Sequence, residues 1–165
     1  MLLADRDSPA VLRPGVATGV DPYPVNEVDQ FEAGLKYRQG GLNAFVTFFD
    51  ARTKEGAGYE VTTQTIKKDS YTSRGIEAEL SWRWGDLRLT GGATWTQAEI
   101  DSGDFKGNTP RRQADWVYQI SPAWRFGSLE VGGALIGTTK SYAQNDNQVV
   151  LPAFAVVNLF ANYEL

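Results

Sequence analysis

Across Val28 to Arg38 the chain alternates between two kinds of side chain. Phe31, Ala33, Leu35 and Tyr37 fall on one parity, and Gln30, Glu32, Gly34, Lys36 and Arg38 on the other. Successive side chains of a strand point to opposite faces, so a period of two with one apolar and one strongly polar set describes a strand between two different solvents. The pattern returns six times along the chain. A repeat of that kind points to the wall of a membrane pore rather than to an active site.

The connections between the segments are as informative as the segments. Strands are expected at about Val28 to Arg38, Leu42 to Arg52, Tyr71 to Trp84, Leu87 to Gln97, Ala114 to Phe126, Leu129 to Thr138 and Pro152 to Leu165. The first, third and fifth end in tight turns: Gln39-Gly40-Gly41, Gly85-Asp86 and Gly127-Ser128. The second, fourth and sixth end in long polar stretches: Thr53 to Lys68, Ala98 to Pro110 and Thr139 to Val150. A further short turn is due after Leu165. Outer-membrane barrels have this asymmetry of short periplasmic turns and long extracellular loops. Residues 1–25, with Pro9, Pro14, Pro22 and Pro24 and no clear period, read as a loop remnant, and residues 26–165 as barrel. The expected fold is all-β: an antiparallel meander of about seven strands forming part of a transmembrane β-barrel.

Composition removes several alternatives. No run approaches the ~18 consecutive apolar residues of a membrane-spanning helix. Barrel strands hide their lipid face by alternation, so a mean hydropathy of −0.34 does not count against a barrel. The net charge of −4 disfavours a nucleic-acid partner. With neither Cys nor His, thiol chemistry, the usual general base and the commonest metal ligands are absent. The sequence gives no reason to expect an enzyme, a cofactor or a bound metal.

The aromatic residues give a second ruler. Tyr37, Trp82, Trp84, Trp124, Phe126 and Tyr163 lie near the short turns; Trp95 and Trp116 lie near the long loops. The rise from Trp116 to Trp124 or Phe126, at about 3.3 Å per residue and a tilt near 40°, spans roughly 20–25 Å, close to the apolar height of an outer-membrane barrel. These eight residues are the expected interfacial girdles. Glu32, Lys36, Glu77, Glu79, Arg83, Arg88 and Asp115, on the opposite parity, are expected to face the lumen.

Five segments in order resemble the barrel of TonB-dependent outer-membrane receptors. Glu27 to Lys36 resembles an E-x-x-x-x-E-x-G-x-K strand, and Gly41 to Asp50 is similar to the strand after it. Gly75-Ile76-Glu77-Ala78-Glu79 resembles G-x-E-x-E, Gly107-Asn108-Thr109-Pro110 resembles a Gly-Asn-x-Pro loop, and Leu151 to Tyr163 resembles a late strand. The resemblance implies a bacterial outer-membrane location, a barrel of about 22 strands with a plug in its lumen, and import of a scarce nutrient such as a ferric siderophore. Its implied partners are outer-membrane lipid, the plug, the remaining barrel strands and the TonB complex. Met1-Leu2-Leu3 does not begin a signal peptide, and Asn158-Leu159-Phe160-Ala161 matches the family's terminal motif only superficially. The chain is therefore expected to be a barrel segment cut at both ends. The alternatives are a small complete outer-membrane barrel acting as adhesin or anchor, and a soluble carbohydrate-binding β-domain.

Other constellations have a plain reading beside the chemical one. Glu77 and Glu79 could act as an acid/base or cation-binding pair, yet charges on a wet lumen wall have the same spacing; some of them could dock a plug. Asp101-Ser102-Gly103-Asp104 and Asn145-Asp146-Asn147 lack the full ligand series of a calcium loop. Arg111-Arg112 could hold anionic groups or cap a strand at the membrane edge. Tyr59, Tyr71, Phe105 and Tyr142 are the loop aromatics that could meet a substrate, whose identity the sequence does not give. Gly91-Gly92 and Gly132-Gly133 sit mid-strand, where close packing or strand bending is their expected use.

Overall fold

The computed structural model describes residues 27–54, 58–60, 65–67 and 70–164. The loop expected over residues 1–25 and much of the Thr53–Lys68 connection lie outside them. The strands are β1 (Glu27–Gln39), β2 (Leu42–Lys54), β3 (Gly58–Glu60), β4 (Thr65–Lys67), β5 (Ser70–Trp84), β6 (Leu87–Ile100), β7 (Trp116–Phe126), β8 (Leu129–Thr138), β9 (Ser141–Tyr142), β10 (Val150–Leu151) and β11 (Phe154–Tyr163). Seven form one sheet in the order β1-β2-β5-β6-β7-β8-β11, every neighbouring pair antiparallel. The expected all-β meander is thus the observed one. The pairs β3–β4 and β9–β10 are small hairpins within the long connections, which alternation alone did not indicate. Among the described residues β1 pairs only with β2 and β11 only with β8, so the sheet is open.

The tight turns follow from glycine. At the β1–β2 turn Gly40 and Gly41 have φ of 57° and 79°. Two consecutive left-handed residues make the primed turn whose twist matches the flanking strands. Gly85 and Gly127 hold φ of 57° and 62° at the first central position of the next two turns, where glycine carries no steric penalty. These turns fix the register, and the register fixes the faces.

One face is apolar from edge to edge. A single row of paired positions runs Leu35, Val46, Ala78, Ala93, Tyr118, Gly137 and Ala155. The next runs Tyr37, Ala44, Leu80, Gly91, Ile120, Leu135 and Val157. These side chains are not buried against a second layer. Leu35 is 75%, Trp84 68% and Leu159 84% exposed, and the buried apolar residues among those described are only Ala51, Ile100, Ala114 and Ala123. Monomeric soluble proteins rarely show so continuous an apolar surface.

Two local features break the regular pattern for visible reasons. Phe45 and Phe49 sit on the polar parity of β2, against simple alternation. Phe49 is paired with Gly75 and lies over it; Phe45 lies over Gly34, diagonally placed on β1. On the same face Phe160 covers its partner Gly132 in the same way. An aromatic laid on a cross-strand glycine fills the missing side chain and stiffens the strand. Gly34, Gly75 and Gly132 are therefore packing positions.

The second break is at Pro122. The β7–β8 ladder runs through Ile120–Leu135 and resumes at Ala123–Gly132, omitting Ser121–Ala134 and Pro122–Gly133. In the same register Thr139 N–H donates to the Trp116 carbonyl (3.0 Å). Positions alternate along a ladder, so Pro122–Gly133 falls on a hydrogen-bonded position. Proline has no N–H to give. The Ser121 hydroxyl donates to the Gly133 carbonyl instead (2.8 Å).

Candidate functional site

The second face of the sheet carries the charges. Its rows come from the same register. Lys36, Phe45, Glu79, Gly92, Gln119 and Ile136 form one; Gly34, Thr47, Glu77, Thr94, Val117 and Thr138 form another. Arg83 pairs directly with Arg88 at the short-turn end, and Glu32 pairs with Phe49 toward the long-loop end. The register puts Glu32, Lys36, Glu77, Glu79, Arg83 and Arg88 on one side of the sheet. Asp115 differs slightly: β7 begins at Trp116, not at Ala114, so Asp115 sits on the lip before the strand. Its carbonyl accepts from Thr96 N–H (2.8 Å), which extends the β6–β7 register by one position.

A hollow of about 870 Å³ lies against this face, lined by Lys36, Arg38, Asn43, Glu77, Glu79, Ser81, Thr90, Thr94, Gln119 and Ser121 among others. Charge is graded along the face. At the short-turn end Arg88 reaches Glu130 (3.0 Å), with Arg125 at 3.9 Å from the same carboxylate. Arg38 donates to Asn43 (2.7 Å). Glu32, Glu77 and Glu79 lie further along, toward the long loops. A hydrated wall tolerates such charges, because water replaces the partners they lack.

The aromatics lie on the opposite, apolar face. Trp82 and Trp84 stack with centroids 5.9 Å apart, and Trp124 and Phe126 with centroids 6.1 Å apart. Trp95 is paired with Trp116 at the far end of the same face. Tyr37 and Tyr163 belong to this face at the short-turn end, paired with Ala44 and Leu129.

The long loops hold a structure that sequence reasoning missed. Asn145, read beforehand only as part of a faint calcium loop, is buried. Its side-chain oxygen accepts from Arg111 N–H (2.9 Å), and its carbonyl accepts from the Asn108 amide (2.9 Å). Asn147, at φ 55°, accepts from Thr109 N–H (3.0 Å) and donates to the Thr109 carbonyl (2.8 Å). Arg112 N–H donates to the Tyr142 carbonyl (2.6 Å). The β6–β7 and β8–β11 connections are thus bolted together by side-chain amides acting on backbone, while the side chains of Arg111 and Arg112 remain exposed. The Asp101 carboxylate accepts from the Thr72 hydroxyl (2.5 Å). The signal available in the sequence was the Asn-x-Asn pair facing Asn108-Thr109-Pro110, but only the fold brings those stretches together. The side chain of Tyr59 lies outside the described residues.

A model of the β-barrel of TonB-dependent receptors matches residues 23–165. The chain belongs to the TonB-dependent receptor family. It is a barrel segment of a bacterial outer-membrane protein. An uncharacterized TonB-dependent receptor of Haemophilus influenzae is 27% identical over 158 residues, covering 86% of this chain and 46% of that protein. The ferric citrate transporter FecA in its unliganded form superposes with a TM-score of 0.74 at 16% identity, over 84% of this chain and 24% of that one. The ferric yersiniabactin uptake receptor FyuA of Yersinia pestis gives 0.71 at 18% identity, over 84% and 22%. BauA, the ferric preacinetobactin receptor of Acinetobacter baumannii, gives 0.70 at 18% identity, over 81% and 22%. At these identities the structural likeness speaks for the fold. The chain spans about half the length of its curated relative and under a quarter of these three receptors.

Proposed function

We propose that this chain forms part of the barrel wall of a receptor that takes up a scarce nutrient of the ferric-chelate class, with its charged face toward the lumen and its aromatic-edged face toward lipid. The observation that carries this reading is the register: across their middle and short-turn end the seven strands present rows of apolar residues on one side, and the sheet carries Glu32, Lys36, Glu77, Glu79, Arg83 and Arg88 on the other. The three receptors with the same fold named above all have names that refer to ferric ligands. The eight aromatics Tyr37, Trp82, Trp84, Trp95, Trp116, Trp124, Phe126 and Tyr163 serve as interfacial girdles, since amphipathic rings settle at the headgroup level. The polar face offers a plug domain both carboxylates and guanidinium groups, and the remaining barrel strands continue the sheet from the edges of β1 and β11. Energy for uptake then comes from the TonB complex acting on the plug. This is a transport role rather than an enzymatic one.

The test is uptake of radio-iron from a panel of ferric chelates by cells grown under iron limitation, with and without the gene. Loss of uptake of one chelate class on deletion, restored by the gene in trans and abolished when TonB is absent, supports the reading. Unchanged uptake of every chelate tested overturns the substrate class. Uptake that persists without TonB overturns the mechanism.

A further inference from the structure

The interrupted β7–β8 ladder leaves a mark on the apolar face. There the register aligns Leu89 with Pro122 and Gly133 with Leu159 across the omitted Pro122–Gly133 pair, so two low residues lie between two tall ones. A hollow of about 690 Å³ opens at that point, lined on the apolar side by Ile120, Pro122, Trp124, Leu135, Val157 and Leu159 among others. The chain cannot fill it from Gly133. A Cβ there would stand 2.9 Å from the Asn158 carbonyl oxygen, closer than real contacts allow, and 3.0 Å from Leu159 Cδ2.

We propose that this hollow is a seat for one acyl chain of a membrane phospholipid, entering from the leaflet nearest the short turns. The occupant follows from the medium. The hollow is continuous with the face that an outer-membrane barrel turns to lipid, and its apolar side chains leave a water molecule few partners. Its position along the strands sets the direction of entry. Trp124 and Phe126 stack at the end toward the Gly127-Ser128 turn, whereas Ile120 and Leu135 pair deeper along β7 and β8. A chain whose headgroup lies at the aromatic level has its methylenes at Pro122 and Gly133.

The seat can be tested with a phospholipid carrying a diazirine midway along one acyl chain, incorporated into outer-membrane vesicles that hold the full-length protein. After photolysis, the label on peptides spanning Ile120 to Leu135 is compared with that on the equally apolar Phe31 to Phe48 region. The expected result is several-fold more label at the hollow. Val157→Trp, at an exposed position on the hollow's margin, should reduce that excess several-fold, whereas Leu35→Trp on β1 should leave it unchanged. Leu159→Trp repeats the fill from the neighbouring strand position, and heat-modifiable gel mobility confirms that each variant is folded. Even labelling of the whole apolar face overturns the proposal. So does an excess that both filling variants leave untouched, or crosslinks at these peptides that join a second protein chain rather than lipid.

Discussion

The Ser121 hydroxyl stands in for a backbone donor, and its removal has a calculable effect. Pro122 cannot donate to the Gly133 carbonyl, and the Ser121 bond at 2.8 Å is the replacement. Ser121→Ala leaves that carbonyl without this donor. An acceptor so orphaned costs about 1–3 kcal/mol when water is kept away. Ser121 lies on the polar face, where water can reach in part, so the lower half of the range, ~1–2 kcal/mol, is expected. Pro122→Ala restores an N–H at the hydrogen-bonded position. In that background Ser121→Ala should cost at least ~0.5 kcal/mol less, a coupling of the size that neighbouring residues show in double-mutant cycles. Ser121→Thr keeps the hydroxyl and should be close to neutral. The assay is reversible urea unfolding of the folded protein in micelles, followed by tryptophan fluorescence, with all four members of the cycle measured. An equal cost of Ser121→Ala in both backgrounds would refute the substitution argument, because the hydroxyl would then be serving something other than the proline gap.

Three further outcomes follow from the register and the loops. Leu80→Arg, on the apolar face, should cost about 2–4 kcal/mol if it lies near mid-membrane, while Ser81→Lys, its neighbour on the polar face, should be nearly neutral; equal costs by urea titration would mean that the faces are misassigned. Gly132→Ala places a Cβ 2.5 Å from Phe160 Cζ and 2.7 Å from the Pro122 carbonyl, so an overpacking cost of about 1–3 kcal/mol is expected, partly relieved by Phe160→Leu. If Phe160→Leu gives no relief, the contact with the ring is not the source of the cost. Asn147→Ala removes two bonds to Thr109 and forces alanine to φ 55°. Amide exchange at Thr109 and Arg111 should then quicken by roughly tenfold for each 1.4 kcal/mol of local stability lost; unchanged protection at both sites would show that the two loops are not joined through Asn147.

Much of the wall was legible in the sequence because a strand's period is short and absolute. One residue of slip would exchange the faces, so Phe31 through Tyr37 and Ile76 through Trp84 admit one register. Short turns with glycine at left-handed positions then gave the order of the strands. What stayed hidden depends on partners far away in the chain. Phe45 and Phe49 look misplaced until Gly34 and Gly75 are beside them. Ser121 looks like any lumen serine until Pro122 is seen to face Gly133. Asn145 and Asn147 look like part of a solvated loop until Asn108 and Thr109 arrive from another loop. Each of these is a contact between segments, and a single strand's pattern carries no record of it.

The order of strands in the sheet is also their order in the chain, and this governs how such a wall can be built. The hairpins close alternately over tight turns and over longer connections, Ile100 to Trp116 and Thr138 to Phe154 being equally long, and loop-closure entropy grows only slowly with length. No strand has to wait for a distant partner: β2 offers its edge to β5, β5 to β6, and so on to β11. Assembly can therefore advance like a zip, with one exposed edge acting as the template for the next hairpin. That growing edge is at once the site of progress and the site most open to mispairing with another chain. An assembly factor that shielded one edge at a time would be enough to guard the whole process.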